Sequence, residues 1–210
     1  MLMKTPEEAI ATVAIMTKSA QSPERLSFMA GALRRLDERG IEGDVVECGI
    51  WQGGYLILAR MLSPDRLCWG YDTFTGMTEP GAFDVTRGGR KGKAGKSAAS
   101  METVIANFER TGTYDPHRLR LIKGPVESTL TEAENRPDKI ALLRLDTDWY
   151  ASTKAELDHL WPLLVPGGVL IVDDYGHWMG ARRAVTEYFG NNMPGFSMVD
   201  YTCMLMVKPW

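Results

Sequence analysis

The chain has 210 residues, a length that suits one large domain or a domain with a small appendage. Hydrophobic residues make up 44% and charged residues 24%, which excludes a disordered chain, and no apolar run approaches the roughly 18 residues of a membrane span. A net charge of −3 offers no general attraction to nucleic acid. The opening residues, Met1 to Glu8, turn acidic without an apolar secretion segment, and the cysteines Cys48, Cys68 and Cys203 all sit in apolar runs. Both features point to buried free thiols in a reducing cytoplasm.

Two helices open the chain. Thr5-Pro6-Glu7-Glu8 combines an N-cap, a proline at the first helical position and a glutamate three residues after the cap, predicting a helix over 6–20. A second is expected over 23–39, where Leu26, Met29, Leu33 and Leu36 recur at helical spacing before Gly40. These helices form an appendage, 1–42, whose apolar face would meet a second subunit or cover the active-site mouth, so a homo-oligomer is expected. From 43 onward strands and helices alternate. Strands are expected at 44–48, 66–71, 118–122, 140–145 and 168–172, with helices at 56–62, 101–110, 153–163 and 179–189. Runs at 196–201 and 204–207 close the chain as a hairpin. The fold class is therefore α/β, an open and mostly parallel sheet covered on both faces, with an antiparallel strand added at the end.

One segment breaks the rhythm. Residues 78–100 hold five glycines and the bases Arg87, Arg90, Lys91, Lys93 and Lys96, with no acid between Asp84 and Glu102. A basic, solvated, flexible loop is the plain reading; its position after the second strand favours a mobile lid.

Ligands of such sheets lie beyond the carboxyl ends of the strands. The first strand ends in Glu47-Cys48-Gly49-Ile50-Trp51-Gln52-Gly53, a glycine turn that admits a cofactor but is not the dinucleotide pattern. Glu47 would repel a pyrophosphate and suits an ammonium group. Asp72 ends the second strand, 19 residues after Gly53, where an acid commonly binds a ribose. Together they suggest an adenosine ligand bearing an amine. The fourth strand ends in Asp146-Thr147-Asp148 and the fifth in Asp173-Asp174, four carboxylates converging at one end of the sheet. Bare, they would repel one another; oxygen ligation of magnesium, manganese or calcium removes the conflict. Capping of the helices that follow, by Asp148 and Asp174, is the competing use.

The runs Val46-Glu47-Cys48-Gly49, Tyr71-Asp72-Thr73-Phe74-Thr75-Gly76-Met77, Leu143-Arg144-Leu145-Asp146-Thr147-Asp148 and Val172-Asp173-Asp174-Tyr175-Gly176 resemble the macrocin O-methyltransferase (TylF-type) family. Ala106-Asn107-Phe108-Glu109-Arg110 and Pro166-Gly167-Gly168 add to the likeness, which runs from about Gly43 to Phe189. The resemblance implies a Rossmann-like class I methyltransferase sheet, S-adenosylmethionine and Mg2+ (or Mn2+) as cofactors, and a sugar hydroxyl of a natural product or glycoside as acceptor. It further implies Asp146, Asp173 and Asp174 as metal ligands and Asp148 as general base. Glu47 and Asp72 would hold the methionine amine and the ribose, at the turn of Gly49 and Gly53, with Val126 and Glu127 flanking the adenine. Departures at the N-terminus and in 78–100 leave the acceptor open. A catechol-type O-methyltransferase and a non-catalytic adenosine-binding module are the alternatives.

The chemistry explains the acids. With a pKa of about 15.7 for water as a proxy alcohol and about 3.9 for aspartate, unaided proton transfer is uphill by roughly 16 kcal/mol. A metal that acidifies the hydroxyl brings the proton within reach of Asp148. His177 is a competing base or a solvent-facing cap, and Trp149 and Tyr150 either line the acceptor pocket or pack in the core.

Overall fold

The computed structural model describes residues 5–17 and 22–210. Strands β1 (Asp44–Cys48), β2 (Cys68–Asp72), β3 (Leu119–Lys123), β4 (Ile140–Leu145), β5 (Leu164–Val172), β6 (Phe196–Met198) and β7 (Met204–Val207) form one sheet, ordered β3-β2-β1-β4-β5-β7-β6. The first five are parallel, and β7 joins β5 antiparallel through the closing hairpin. That is the expected mixed α/β sheet. The helices are α1 (Pro6–Met16), α2 (Pro23–Glu38), α3 (Gly54–Leu62), α4 (Met101–Arg110), α5 (Val126–Thr129), α6 (Tyr150–Leu160) and α7 (Met179–Phe189). Among the described residues, none is long and apolar enough to cross a membrane.

Strand alternation sorts the core into two layers. Val45, Leu142 and Ile171 pack with α1, α2, α3 and α4 on one face, while Val46, Leu143 and Leu170 pack with Val126, Leu157 and Val185 on the other. The N-terminal helices thus share the main core: Ala9, Val13, Leu26, Met29 and Leu33 are fully buried in it. The expected capping box is present, Thr5 Oγ1 accepting from the Glu8 amide and Glu8 accepting from the Thr5 amide; such a cap contributes about 1 kcal/mol. The tail of the helix expected over 6–20 lies partly outside the described residues, as do residues 1–4 of the appendage. Several boundaries differ from expectation: β5 begins at Leu164 rather than 168 and α6 at Tyr150 rather than 153, and two differences have a plain physical cause. Pro162 turns the end of the sixth helix into a 3-10 turn over Trp161–Leu163, and β6 stops at Met198 because Asp200 binds the amides of Thr202 and Cys203 in a tight turn. All three cysteines are buried and free.

The glycine-rich segment after β2 lies against the first turns of α6 and α7. Buried Asp84 is its anchor, accepting from the amides of Gly81 (2.6 Å) and Tyr150 (2.8 Å). Phe83 stacks edge-on against Tyr150 beneath the Arg183 guanidinium. Trp149 Nε1 donates to the Thr78 carbonyl, and the Arg87 amide to that of His177. The basic side chains themselves are exposed. Trypsin is therefore expected to cut first within 87–96. Asp84→Ala should speed that cleavage several-fold with unchanged fragments, and an unchanged rate would place the anchor elsewhere.

Candidate functional site

Beyond the carboxyl ends of β1, β2, β4 and β5 lies a cavity of about 350 Å3, within the range of small-molecule sites. Its wall includes Gly49, Asp72, Val126, Glu127, Asp146, Asp148, Asp173 and Asp174, most of the residues singled out by sequence.

Gly49 shows why the strand ends converge. Its φ is +81°, and a Cβ there would stand 2.1 Å from the Asp146 carbonyl oxygen. Glycine lets the end of β1 approach that of β4. Gly53, also left-handed, starts α3 against Phe108 and lies off the cavity wall. Asp72 accepts from the amides of Trp51 (2.9 Å) and Phe74 (2.8 Å), so its carboxylate is held across the same turn; burial nevertheless pushes its pKa up.

Behind the wall sits Arg144. It is 1% exposed, in the middle of the sheet, and its guanidinium binds Glu47 (2.6 Å), Asp146 (2.8 Å) and Asp173 (2.7 Å) while lying 3.8 Å over the Tyr55 ring. Residues 47, 144 and 173 share one face because alternate positions of parallel strands do. From α2, Arg25 reaches the other Asp173 oxygen (2.6 Å), Asp200 (2.6 Å) and the Thr202 hydroxyl. Glu47 accordingly is buried and ion-paired rather than on the cavity wall, with Oε2 lacking a hydrogen-bond partner.

The acids divide. Ligand oxygens of Asp146, Asp148 and Asp174 all lie within 4.8 Å of one another. The trio implied by the resemblance contains Asp173 instead, which here is gripped by Arg25 and Arg144. Burial, then the neighbouring carboxylates, pushes Asp146 and Asp174 well above the ordinary range, and Asp148 up to about 7. A buried, self-repelling oxygen cluster fits a hard divalent cation, which supplies the missing positive charge. Neither Asp148 nor Asp174 caps a helix: the N-cap residues of α6 and α7 are Trp149 and Trp178, neither with a side-chain cap. Asp84 supplies α6 with its acceptor.

Asp148 has φ +69°, a left-handed conformation that costs a non-glycine residue about 1–2 kcal/mol. The turn is held from below, where Thr147 Oγ1 lies 2.7 Å from both Ser152 Oγ and Glu156 Oε1. Glu156 is fully buried, has an unpartnered Oε2, and is pushed by burial up to about 8. His177 stands outside the cavity wall, its Nδ1 on the Tyr201 hydroxyl (2.9 Å), and burial lowers its pKa. Trp149 and Tyr150 hold the glycine-rich segment and do not line the cavity.

Sequence reasoning passed over Arg144, Arg25, Asp84 and Glu156. An arginine inside Leu142-Leu143-Arg144-Leu145 signals a buried ion pair; no local pattern marks Arg25, whose partner Asp173 is 148 residues away.

Two stability predictions follow from these groups. Arg144→Leu leaves Glu47 and Asp173 short of a buried partner, so urea unfolding should show a loss of about 3–5 kcal/mol; a loss below about 1 kcal/mol would mean that water already neutralises them. Glu156 is not penalised while protonated, and its penalty grows as pH rises from its ordinary 4.5 to about 8. Glu156→Gln should therefore gain stability over the parent progressively across that window, and a pH-independent difference in unfolding midpoint would refute the assignment.

The comparisons with known proteins agree with this architecture. The family model for macrocin O-methyltransferase (TylF) matches residues 13–207. The 8-demethyl-8-(2,3-dimethoxy-alpha-L-rhamnosyl)-tetracenomycin-C 4'-O-methyltransferase of Streptomyces olivaceus is 40% identical over 159 residues, 72% of this chain and 59% of its own length. The mycinamicin III 3''-O-methyltransferase of Micromonospora griseorubida is 35% identical over 175 residues, 79% of this chain and 67% of its own length. This chain thus matches about three fifths to two thirds of the length of these relatives. The solved structure of the O-methyltransferase NovP superposes with a TM-score of 0.78 at 28% identity, covering 90% of this chain and 81% of that one.

Proposed function

This chain belongs to the macrocin O-methyltransferase family, and from that premise we propose that it is an S-adenosylmethionine-dependent, divalent-cation-dependent O-methyltransferase acting on a sugar hydroxyl of a natural product or glycoside. The observation that carries this reading is the cluster of Asp146, Asp148 and Asp174 on the wall of a cavity that also reaches Gly49, Asp72, Val126 and Glu127. A non-catalytic adenosine module would have no use for so costly a cluster.

Asp72, pinned by the Trp51 and Phe74 amides, presents its carboxylate to the ribose hydroxyls. Val126 and Glu127 flank the adenine, and the methionine ammonium would lie toward Asp173, which reaches the cavity wall, with Glu47 paired to Arg144 behind it. Asp146 and Asp174 hold Mg2+ or Mn2+. Such a cation supplies Lewis acidity, lowering the pKa of a hydroxyl beside it, and the sulfonium cofactor supplies an electrophilic methyl group. Asp148 then accepts the hydroxyl proton at a carboxylate oxygen, and its left-handed backbone, braced by Thr147, Ser152 and Glu156, fixes where that oxygen stands. Asp173 is already spoken for by two guanidinium groups, so its part is to orient Arg144 and complete the anionic floor.

Methyl transfer to rhamnosyl glycosides, followed by mass spectrometry with and without EDTA, tests the reading. Activity should vanish in EDTA and return with Mg2+, and NAD should not bind. Asp146→Asn and Asp174→Asn should each lower Mn2+ affinity at least about tenfold by calorimetry. Asp148→Asn should keep Mn2+ binding and lose turnover by about 100-fold or more; loss of Mn2+ binding in that variant would make it a ligand instead of the base. Transfer to a catechol and to no glycoside would move the acceptor class.

A further inference from the structure

The cavity wall carries six carboxyl groups, those of Asp72 and Glu127 and of the four acids at the ends of β4 and β5. Against them stands a single cation among the described residues, Arg25 of α2; Arg144 lies behind the wall and does not line it. S-adenosylmethionine ends in an α-amino acid, so the ligand brings a carboxylate together with its ammonium. Every acid on the wall repels that carboxylate, and leaving it without a donor would cost more than the ammonium gains.

Two kinds of group commonly bind such an anion, the amides of a tight turn and a guanidinium. The turn after β1 is the nearest set of amides, but those of Gly49, Trp51 and Gly53 donate to Tyr71 (2.8 Å), Asp72 (2.9 Å) and Ile50 (2.7 Å). Arg25 is differently placed. Its Nε donates to Asp200 (2.6 Å), its Nη1 to Asp173 (2.6 Å) and its Nη2 to the Thr202 hydroxyl. A guanidinium has two N–H groups on each terminal nitrogen, so both terminal nitrogens keep one beyond these bonds.

The guanidinium is also held in place. Leu26 and Met29 bury the adjoining turns of α2 in the core. Asp200, which grips Nε, itself accepts from the amides of Thr202 and Cys203, and the Arg25 side chain is only 18% exposed. The cation is therefore fixed at the wall before a ligand arrives, which lowers the cost of binding. Beside it stands Asp173, also on the wall. A carboxylate and a guanidinium side by side are the mirror in charge of an ammonium and a carboxylate on one carbon.

We infer that Arg25 binds the α-carboxylate of the methionine end of S-adenosylmethionine, with Asp173 next to it facing the ammonium. This rests on the methyl-transfer reading and assigns α2, from outside the alternating strands and helices, a direct part in holding the cofactor.

Calorimetry compares S-adenosylhomocysteine with its decarboxylated analogue, the aminopropyl thioether of adenosine, which keeps the amine and lacks only the carboxylate. The parent protein is expected to bind S-adenosylhomocysteine about ten- to a hundredfold more tightly than the analogue, the worth of a hydrogen bond between charged groups. Arg25→Gln should weaken S-adenosylhomocysteine by a similar factor and leave the analogue within about twofold, so that the discrimination collapses. A purely structural role, acting through Asp173, would weaken both ligands alike. Near-ultraviolet circular dichroism shows whether this variant folds. Where it does not, Arg25→Lys decides, because it keeps a cation beside Asp173 and loses the planar fork; the discrimination should then fall at least about threefold. Equal affinity of the parent for the two ligands, or a discrimination that the deciding variant leaves intact, overturns the inference while the methyl-transfer reading stands. Discrimination that depends on Arg25, with no methyl transfer to any glycoside or catechol, does the reverse. Binding of neither ligand overturns both.

Discussion

Arg144 is the interaction on which the rest of the site depends. Its guanidinium, buried in β4, takes one carboxylate from β1, one from β5 and one from its own strand end. The three strands that form the floor are thus tied by charge where glycine and the sheet ladder alone would leave their tips free. The tie comes at a cost, because burying such ions is repaid only when geometry and partners are complete. Completion comes from a distance: Arg25 of α2 takes the second oxygen of Asp173. The N-terminal helices, which read as an appendage in sequence, therefore belong to the floor electrically as well as to the core by packing.

The charges nevertheless do not balance. Two guanidinium groups face Glu47, Asp146, Asp148, Asp173 and Asp174. Arg144 and Arg25 satisfy Glu47 and Asp173, and Arg144 shares itself with Asp146, but Asp148 and Asp174 receive no cation from the described residues. This leftover negative charge is localised on the cavity side of the network, in reach of a ligand. The surplus lies on the cavity wall, where the proposed cation and cofactor would meet it.

The alternation of strands and helices was legible because the apolar runs are short, regularly spaced and bounded by glycine or proline. So were the acids, since polar residues at the tips of buried strands have few structural uses. The partition among those acids was not legible. Whether Asp173 or Asp148 joins Asp146 and Asp174 depends on which one an arginine claims, and Arg25 is 148 residues from its partner. The competing use of Asp148, capping the helix that follows it, fails for a related reason. Asp84, from the glycine-rich segment, already occupies the start of α6, a contact that no local pattern encodes. Glu156 was invisible because a glutamate on an amphipathic helix ordinarily faces water; here its Oε1 accepts from the Thr147 hydroxyl inside the fold.

Asp84 and Glu156 together explain how one turn serves two masters. The stretch Asp146-Thr147-Asp148-Trp149-Tyr150 must present carboxylates to the cavity, and it must also start a helix. A helix start needs acceptors for its free amides, and the nearest acceptors in sequence are the very carboxylates that the cavity requires. Asp84 relieves that competition by accepting from Tyr150, so the acids at 146 and 148 stay free of the backbone. Glu156 acts from the opposite side, holding Thr147 while the chain passes through the left-handed conformation that turns Asp148 toward its neighbours. The carboxylate cluster is thus supported from off the cavity wall, by Glu156 on one side and by Asp84 of the glycine-rich segment on the other.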